Sequence, residues 1–280
     1  MSACPSPLPP AYVAWETWRL AGGIKAERPP GLPQRIPQTW WACLRERRPK
    51  PAFDYGLLAK SGWFVREPTG GGLTEKLPAV KAAGFAYVAL NARDYRGNAW
   101  DEWRIEAARL SLPVVPWGRI YDGSPTSLTR TLVAEQTVTY LLDTAAEWGS
   151  KGVALNIEDE AEHTISPGRV AYMTDLYRGS LAIVTDWRGY LDAGVYKGPD
   201  WTPLAGRAVN IIEAFTNDDQ PRDIGDCVER ARLQGWKNIV PLLDTKLAPA
   251  VYQQQSAHAP VIAGYVLDIV DANAVAGWKP

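Results

Sequence analysis

Lys151–Glu158 reads KGVALNIE, and the order of side-chain sizes inside it decides the fold. A strand sends alternate residues to opposite faces, so Val153, Leu155 and Ile157 share one side and Ala154, Asn156 and Glu158 the other. The bulky apolar set suits a layer of covering helices. The set that is small and then polar suits a narrow interior that opens at one end.

Seven other runs of similar length lie along the chain: Gly62–Arg66, Phe85–Asn91, Val114–Ile120, Leu181–Trp187, Ala208–Phe215, Asn238–Asp244 and Val261–Asp268. With Gly152–Glu158 they make eight. Helix-like segments at 74–83, 99–110, 128–148, 167–179, 223–235 and 247–257 separate most of them, while 188–207 is irregular. Eight strand–helix units in this length predict an α/β fold, a (β/α)8 TIM barrel over residues 60–280. An open doubly wound sheet is the rival, but it does not normally need eight such units. No GxGxxG follows a strand, so dinucleotide binding has no support. Gly70–Gly72 is not followed by the Lys and Ser/Thr of a phosphate loop.

Residues 1–59 read differently. The first 51 hold ten of the chain's 23 prolines, four of its 13 tryptophans (Trp15, Trp18, Trp40 and Trp41), and eight basic against three acidic residues. Tyr12, Trp15 and Trp18 recur at helical spacing up to Gly22-Gly23, which predicts one short helix in an otherwise extended Pro/Trp-rich arm. Such an arm either wraps its own barrel or docks on a protein partner through its aromatic anchors.

Composition excludes several classes. With 30 basic and 31 acidic residues the net charge is -1, against a nucleic-acid binder driven by a basic surface. No apolar run reaches the length of a membrane span, and MSACPSPLPPAY does not resemble a secretory signal, so the localisation stays open. Three scattered cysteines and two histidines, His163 and His258, predict no disulfide framework, no metal site and no cofactor.

In a barrel of this kind the chemistry sits at the C-terminal ends of the strands. Glu158, Asp186, Glu213, Asp244 and Asp268 close five consecutive runs. Glu67, Asn91, Arg93, Arg119 and Tyr121 follow the earlier ones, with Trp63, Trp117, Trp187 and Trp201 expected as flanking aromatics. A polar mouth with indole walls suits a sugar, since hydroxyls take the polar groups and C–H faces lie on the rings. Asp186 and Asp244 also fit ordinary capping of the next helix. Glu158 is the candidate catalytic acid, because an inward carboxyl above Asn156, followed by Asp159, Glu160 and Glu162, has its proton affinity raised. Asp268 and Glu213 are the candidate catalytic partners. Asn156, Asn91, Arg119, Tyr121, Asp186, Asp244, Trp117 and Trp187 are the candidate substrate-binding residues, and a polysaccharide is the expected partner.

KGVALNIE resembles the fourth-strand motif DGxDxDxE of the family-18 chitinases and is similar to the DxE of the family-25 lysozymes, both barrels that cleave N-acetylated sugar polymers. Gly152 and Glu158 match; Lys151, Ala154 and Asn156 stand where the chitinase motif has Asp. The eighth run, AGYVLDIVDAN, is loosely similar to the last strand of chitinases. The resemblance implies glycosidic cleavage with Glu158 as general acid and the substrate's acetamido group as nucleophile. Asn156 would donate to that group without balancing its charge, a task left to Glu213 or Asp268. The departures leave open a catalytically silent barrel that builds or binds sugar in a larger assembly. The arm and insertions also resemble tail-associated proteins of phages that infect actinobacteria.

Overall fold

The computed structural model describes residues 55–68, 73–120, 127–157, 165–175, 177–185, 191–192, 195–196, 199–214, 223–244 and 266–269, with isolated positions at 10, 14, 30, 31, 250 and 278. The chain divides into two compact units, Met1–Ala52 with Leu176–Arg178, and Phe53–Asp175 with Gly179–Pro280. The arm's four tryptophans lie outside the described residues.

The second unit is a closed barrel of parallel strands. Its staves are β1 (Gly62–Val65), β2 (Tyr87–Asn91), β3 (Val114–Arg119), β4 (Gly152–Ile157), β5 (Ser180–Thr185), β8 (Val209–Glu213), β9 (Ile239–Asp244) and β10 (Val266–Ile269). The circuit runs β1-β10-β9-β8-β5-β4-β3-β2 and back to β1, so the barrel sheet has no unpaired edge. Helices α1 (Leu73–Ala82), α2 (Asp101–Arg109), α3 (Ser127–Glu147), α4 (Pro167–Met173), α5 (Thr202–Ala205) and α6 (Ile224–Leu233) intervene. This is a (β/α)8 TIM barrel. The interval at 188–207, irregular by sequence, contains a two-residue antiparallel pairing of β6 (Leu191–Asp192) with β7 (Val195–Tyr196), then α5.

Local chemistry sets the helix ends. Ser166 caps α4 by accepting from the Arg169 N–H (3.2 Å), with Pro167 at the first helical position. Asp223 caps α6 by accepting from the Asp226 N–H (2.8 Å). Turns from helix to strand pass through left-handed residues at Gly84, Ser111, Gly149 and Gly235. Glycine adopts that conformation without a Cβ clash, so three of these four turns carry it.

Both faces of β1, β2, β4, β5 and β9 are buried, as expected for a sheet covered by helices. Phe64, Tyr87, Ala89, Val115, Trp117, Ala154, Ala182, Val184, Val209, Ile211, Val240 and Leu242 form one core cluster inside the barrel. Their register is continuous: Trp117 pairs with Ala154, Ala154 with Ala182, and Ala182 with Val209. Leu58, on the arm side of the 59/60 boundary expected from sequence, is fully buried in the same cluster. Its amide donates to the Ser180 hydroxyl (3.2 Å).

Candidate functional site

The inward faces of β2, β3, β4 and β9 change character toward their C-terminal ends. On β2 it runs Tyr87, Ala89, Asn91; on β3, Val115, Trp117, Arg119; on β4, Ala154, Asn156; on β9, Val240, Leu242, Asp244. Apolar residues fill the lower levels and polar ones the last. Asn91, Asn156 and Asp244 are buried polar residues, Glu213 is half-buried, and Arg119 is exposed. Arg119 is the register partner of Asn156.

One cavity of about 210 Å³ opens at this end of β1–β3, lined by Arg66, Glu67, Asn91, Asp94, Tyr95, Trp117 and Arg119. Four residues named from the sequence, Glu67, Asn91, Trp117 and Arg119, therefore meet in one place. Trp117 forms a wall at the boundary between core and mouth. It is 5% exposed, stacks on Phe64 at 5.3 Å, and donates its indole N–H to the Val65 carbonyl (3.2 Å).

The turn after β2 organises the opposite wall. Asn91 Nδ2 donates to Asp94 (2.9 Å), and the Asp94 amide donates back to Asn91 Oδ1 (3.3 Å). Arg93 adds an ion pair to Asp94 at 2.7 Å. Burial works to raise the Asp94 pKa, but hydrogen bonds from Asn91 and Arg93 and the charges of Arg93 and Arg119 bring it below the usual aspartate value. Tyr95 is hydrogen-bonded to Glu67. Desolvation first, then the charges of Glu67 and Asp94 and that bond, raise its phenol above the ordinary range. Behind the turn, Trp100 donates its indole N–H to the Asn91 carbonyl (3.0 Å) and lies edge-on to Tyr95 and Trp103. These aromatic contacts hold the loop against its helix.

The other predicted residues fall in different places. Glu213 and Asp244 end β8 and β9, facing β2 and β3 across the ring. Asp268 is the register partner of Asp244 on one side and Phe64 on the other. Glu158, Tyr121, Asp186 and Trp187 lie outside the described residues. Two of the expected flanking aromatics are not at the mouth. Trp63 is fully buried edge-on to Phe85 (4.9 Å), on the strand face opposite the inward Phe64. Trp201 is 2% exposed and packs on Trp236 (5.6 Å). Both belong to the hydrophobic packing outside the barrel interior.

Sequence reading missed Arg66, Asp94 and Tyr95. The available signal was the spacing Asn91-x-x-Asp94 directly after a strand, which fits a side-chain-closed turn. Among the described residues, no group of three or more His, Cys, Asp or Glu is placed to hold a metal ion. No described helix is long and apolar enough to cross a membrane.

The chain matches no family model and no curated protein sequence. Solved structures do resemble it. The tryptophan synthase A-subunit of Pyrococcus furiosus aligns over 78% of this chain and 89% of its own, at 12% identity and a TM-score of 0.44. Endonuclease IV from Thermus thermophilus aligns over 76% and 93%, at 14% identity and 0.43. The D-allulose 3-epimerase of Methylomonas sp. aligns over 78% and 74%, at 11% identity and 0.38. At these identities the likeness extends to the barrel fold alone.

Proposed function

We propose that this barrel is glycoside-hydrolase-like and acts on a cell-wall or related N-acetylated polysaccharide, with Glu158 as general acid and Asp268 or Glu213 assisting. The observation that carries the reading is the cavity where Asn91, Trp117 and Arg119 converge. It combines an indole wall with amide and guanidinium donors, the pairing that a sugar ring uses. Its volume lies below the roughly 300–1,000 Å³ of a pocket that encloses a whole ligand, so it fits one residue of a chain.

On β4, Ala154 packs inside the barrel and Asn156 continues the same face toward the mouth. Glu158 comes two residues later on that alternation. In the proposed chemistry its carboxyl protonates the glycosidic oxygen as the bond to the anomeric carbon breaks and the substrate's acetamido oxygen bonds to that carbon; water then opens the oxazolinium and gives its proton back to Glu158. Asn156 orients the acetamido group, and the carboxylate of Asp268 or Glu213 offsets the positive charge that develops. Replacing Glu158 by Gln removes the proton donor and is expected to cut cleavage of an N-acetylated glycan by about 100-fold or more. Undiminished product release, followed by reducing-end assay or mass spectrometry, would end the proposal.

A second reading has its own observation. Ala154 occupies a motif position that holds Asp in the chitinases, and here that position belongs to the packed apolar interior. This favours a catalytically silent barrel that binds sugar or serves as a structural component of a larger assembly, such as a phage tail, with the arm as its seat. The wild-type chain would then retain glycans without cleaving them, and immunoblots of purified virions would detect it.

A further inference from the structure

The cavity at the β1–β3 side of the mouth is balanced in charge: two guanidiniums, of Arg66 and Arg119, stand with two carboxylates, of Glu67 and Asp94. Such a lining favours a ligand without net charge. Within it, Asp94 is held on every side. Its Oδ2 accepts from Asn91 Nδ2 (2.9 Å), its Oδ1 accepts from Arg93 (2.7 Å), and its amide donates to Asn91 Oδ1 (3.3 Å). Behind the turn, the fully buried Trp100 donates to the Asn91 carbonyl. The carboxylate is thus fixed before a ligand arrives, and little side-chain freedom is lost on binding. An ionised carboxylate offers about four lone-pair sites, and each oxygen of Asp94 spends one on its partner. That leaves one on each oxygen, on a side chain 41% exposed. Burial works to raise its pKa, yet the bonds from Asn91 and Arg93 and the charges of Arg93 and Arg119 keep it low, so the acceptor is anionic at neutral pH.

We propose that Asp94 is a ligand-binding residue of the mouth, whose carboxylate accepts hydrogen bonds from two neighbouring hydroxyls of one neutral sugar ring. The inference deepens the preceding reading and rests on it for the ligand being a glycan. It adds the charge of the ligand and the edge of the ring that faces the turn after β2. Neighbouring hydroxyls are donors set side by side, and a carboxylate meets them with one oxygen each, as it meets the paired N–H groups of a guanidinium. Trp117 and Tyr95 line the same cavity and offer ring surface to the sugar's C–H face. A carboxylate on the sugar, brought to the same place, would be set against Asp94 and repelled.

The test is an NMR titration, followed on the ligand, of the full chain carrying Glu158→Gln, which keeps the ligand intact. The probes are methyl N-acetyl-β-glucosaminide, its 3-deoxy, 4-deoxy and 6-deoxy forms, and the uronate in which its primary alcohol is oxidised. The deoxy forms that lack a member of the bound pair are expected to bind about tenfold more weakly than the parent. Adding Asp94→Asn, which replaces one acceptor oxygen by a donor, should shrink those deficits to about threefold or less. The uronate should bind no tighter than the parent. An Asp94 that only held the loop would, on substitution, weaken every probe by the same factor and leave the deficits intact.

Binding of no probe, or equal binding of the parent and all three deoxy forms, overturns the inference. So does a deficit that Asp94→Asn leaves unchanged, or a uronate that binds more tightly than the parent. The deoxy series is read on the chain with native Asp94, so the inference stays exposed to refutation even if the substituted chain fails to fold. Cleavage of N-acetylated glycans by the wild-type chain without any deoxy deficit removes the role of Asp94 and leaves the hydrolase. Deoxy deficits that depend on Asp94, without cleavage of any glycan, remove the hydrolase and leave the binding residue.

Discussion

Phe64 in β1 and Arg66 just past its end stand two residues apart, yet they serve different environments. Phe64 is 1% exposed and stacks on Trp117 within a core that spans the ring. Arg66 is exposed and lines a polar cavity. The same step occurs from Ala89 to Asn91, from Trp117 to Arg119 and from Leu242 to Asp244. Below the step, every side chain is fixed by its neighbours, and substitutions should register as lost stability. Above it the residues are polar, buried at Asn91 and Asp244 and exposed at Arg66 and Arg119, and substitutions at the exposed ones should register in binding. The barrel therefore separates what holds it together from what it can recognise.

The sharpest test of this division is Gly62→Ala. Gly62 pairs with Tyr87 in register, and a Cβ added there would lie 2.0 Å from Tyr87 Cζ and 2.2 Å from Cε2. Tyr87 is fully buried, so its ring cannot swing into solvent. The substitution should cost about 3 kcal/mol or more, read as a lower midpoint in urea denaturation. Arg66→Gln, on the same face beyond the strand's end, should change stability by about 0.5 kcal/mol or less. Comparable losses for the two would erase the distinction between floor and rim.

Asp94→Asn probes the rim by pH. The folded pKa of Asp94 is depressed, so its contribution is present above the unfolded value of about 4 and fades as pH falls through the folded value. The side chain is 41% exposed, and screening by solvent holds the effect to about 1 kcal/mol or less. Thermal melts should place the variant slightly below wild type at neutral pH, with the gap closing as pH falls and Asp94 becomes protonated. A gap that widened in acid would reverse the sign and exclude the Arg93 pairing as its source.

The staves were legible because each is a short β-branched or aromatic run set off by helical periodicity, and Gly84, Gly149 and Gly235 mark where helices hand over to strands. The facing of β4 was also readable, since Ala and Asn alternate there with Val, Leu and Ile. Trp63 was not. In a parallel barrel both faces of a strand are apolar, so Gly62-Trp63-Phe64-Val65 does not announce which residue looks inward. The ring's narrow floor decides it, admitting Gly62 beside Tyr87 and sending Trp63 outward. The mouth was legible as polar but not as a set of partners. Asp94 and Tyr95 reach the cavity through the turn after β2, whose conformation depends on Asn91 bonding across it and on Trp100 holding the Asn91 carbonyl.

Tyr87→Phe asks whether the floor is as apolar as this division requires. The ring is buried among Phe64, Ala89 and their neighbours, and its hydroxyl makes no hydrogen bond among the described residues; desolvation drives its pKa far above the ordinary phenol value. A buried hydroxyl without a partner costs about 1–3 kcal/mol relative to one that is bonded, so removing it relieves a penalty while the ring keeps its packing. The expected result is unchanged stability or a gain of about 1 kcal/mol or less in urea denaturation. A loss beyond that would mean that the hydroxyl holds an internal water. The floor would then contain a polar site of its own, and the boundary between core and mouth would not lie at Trp117.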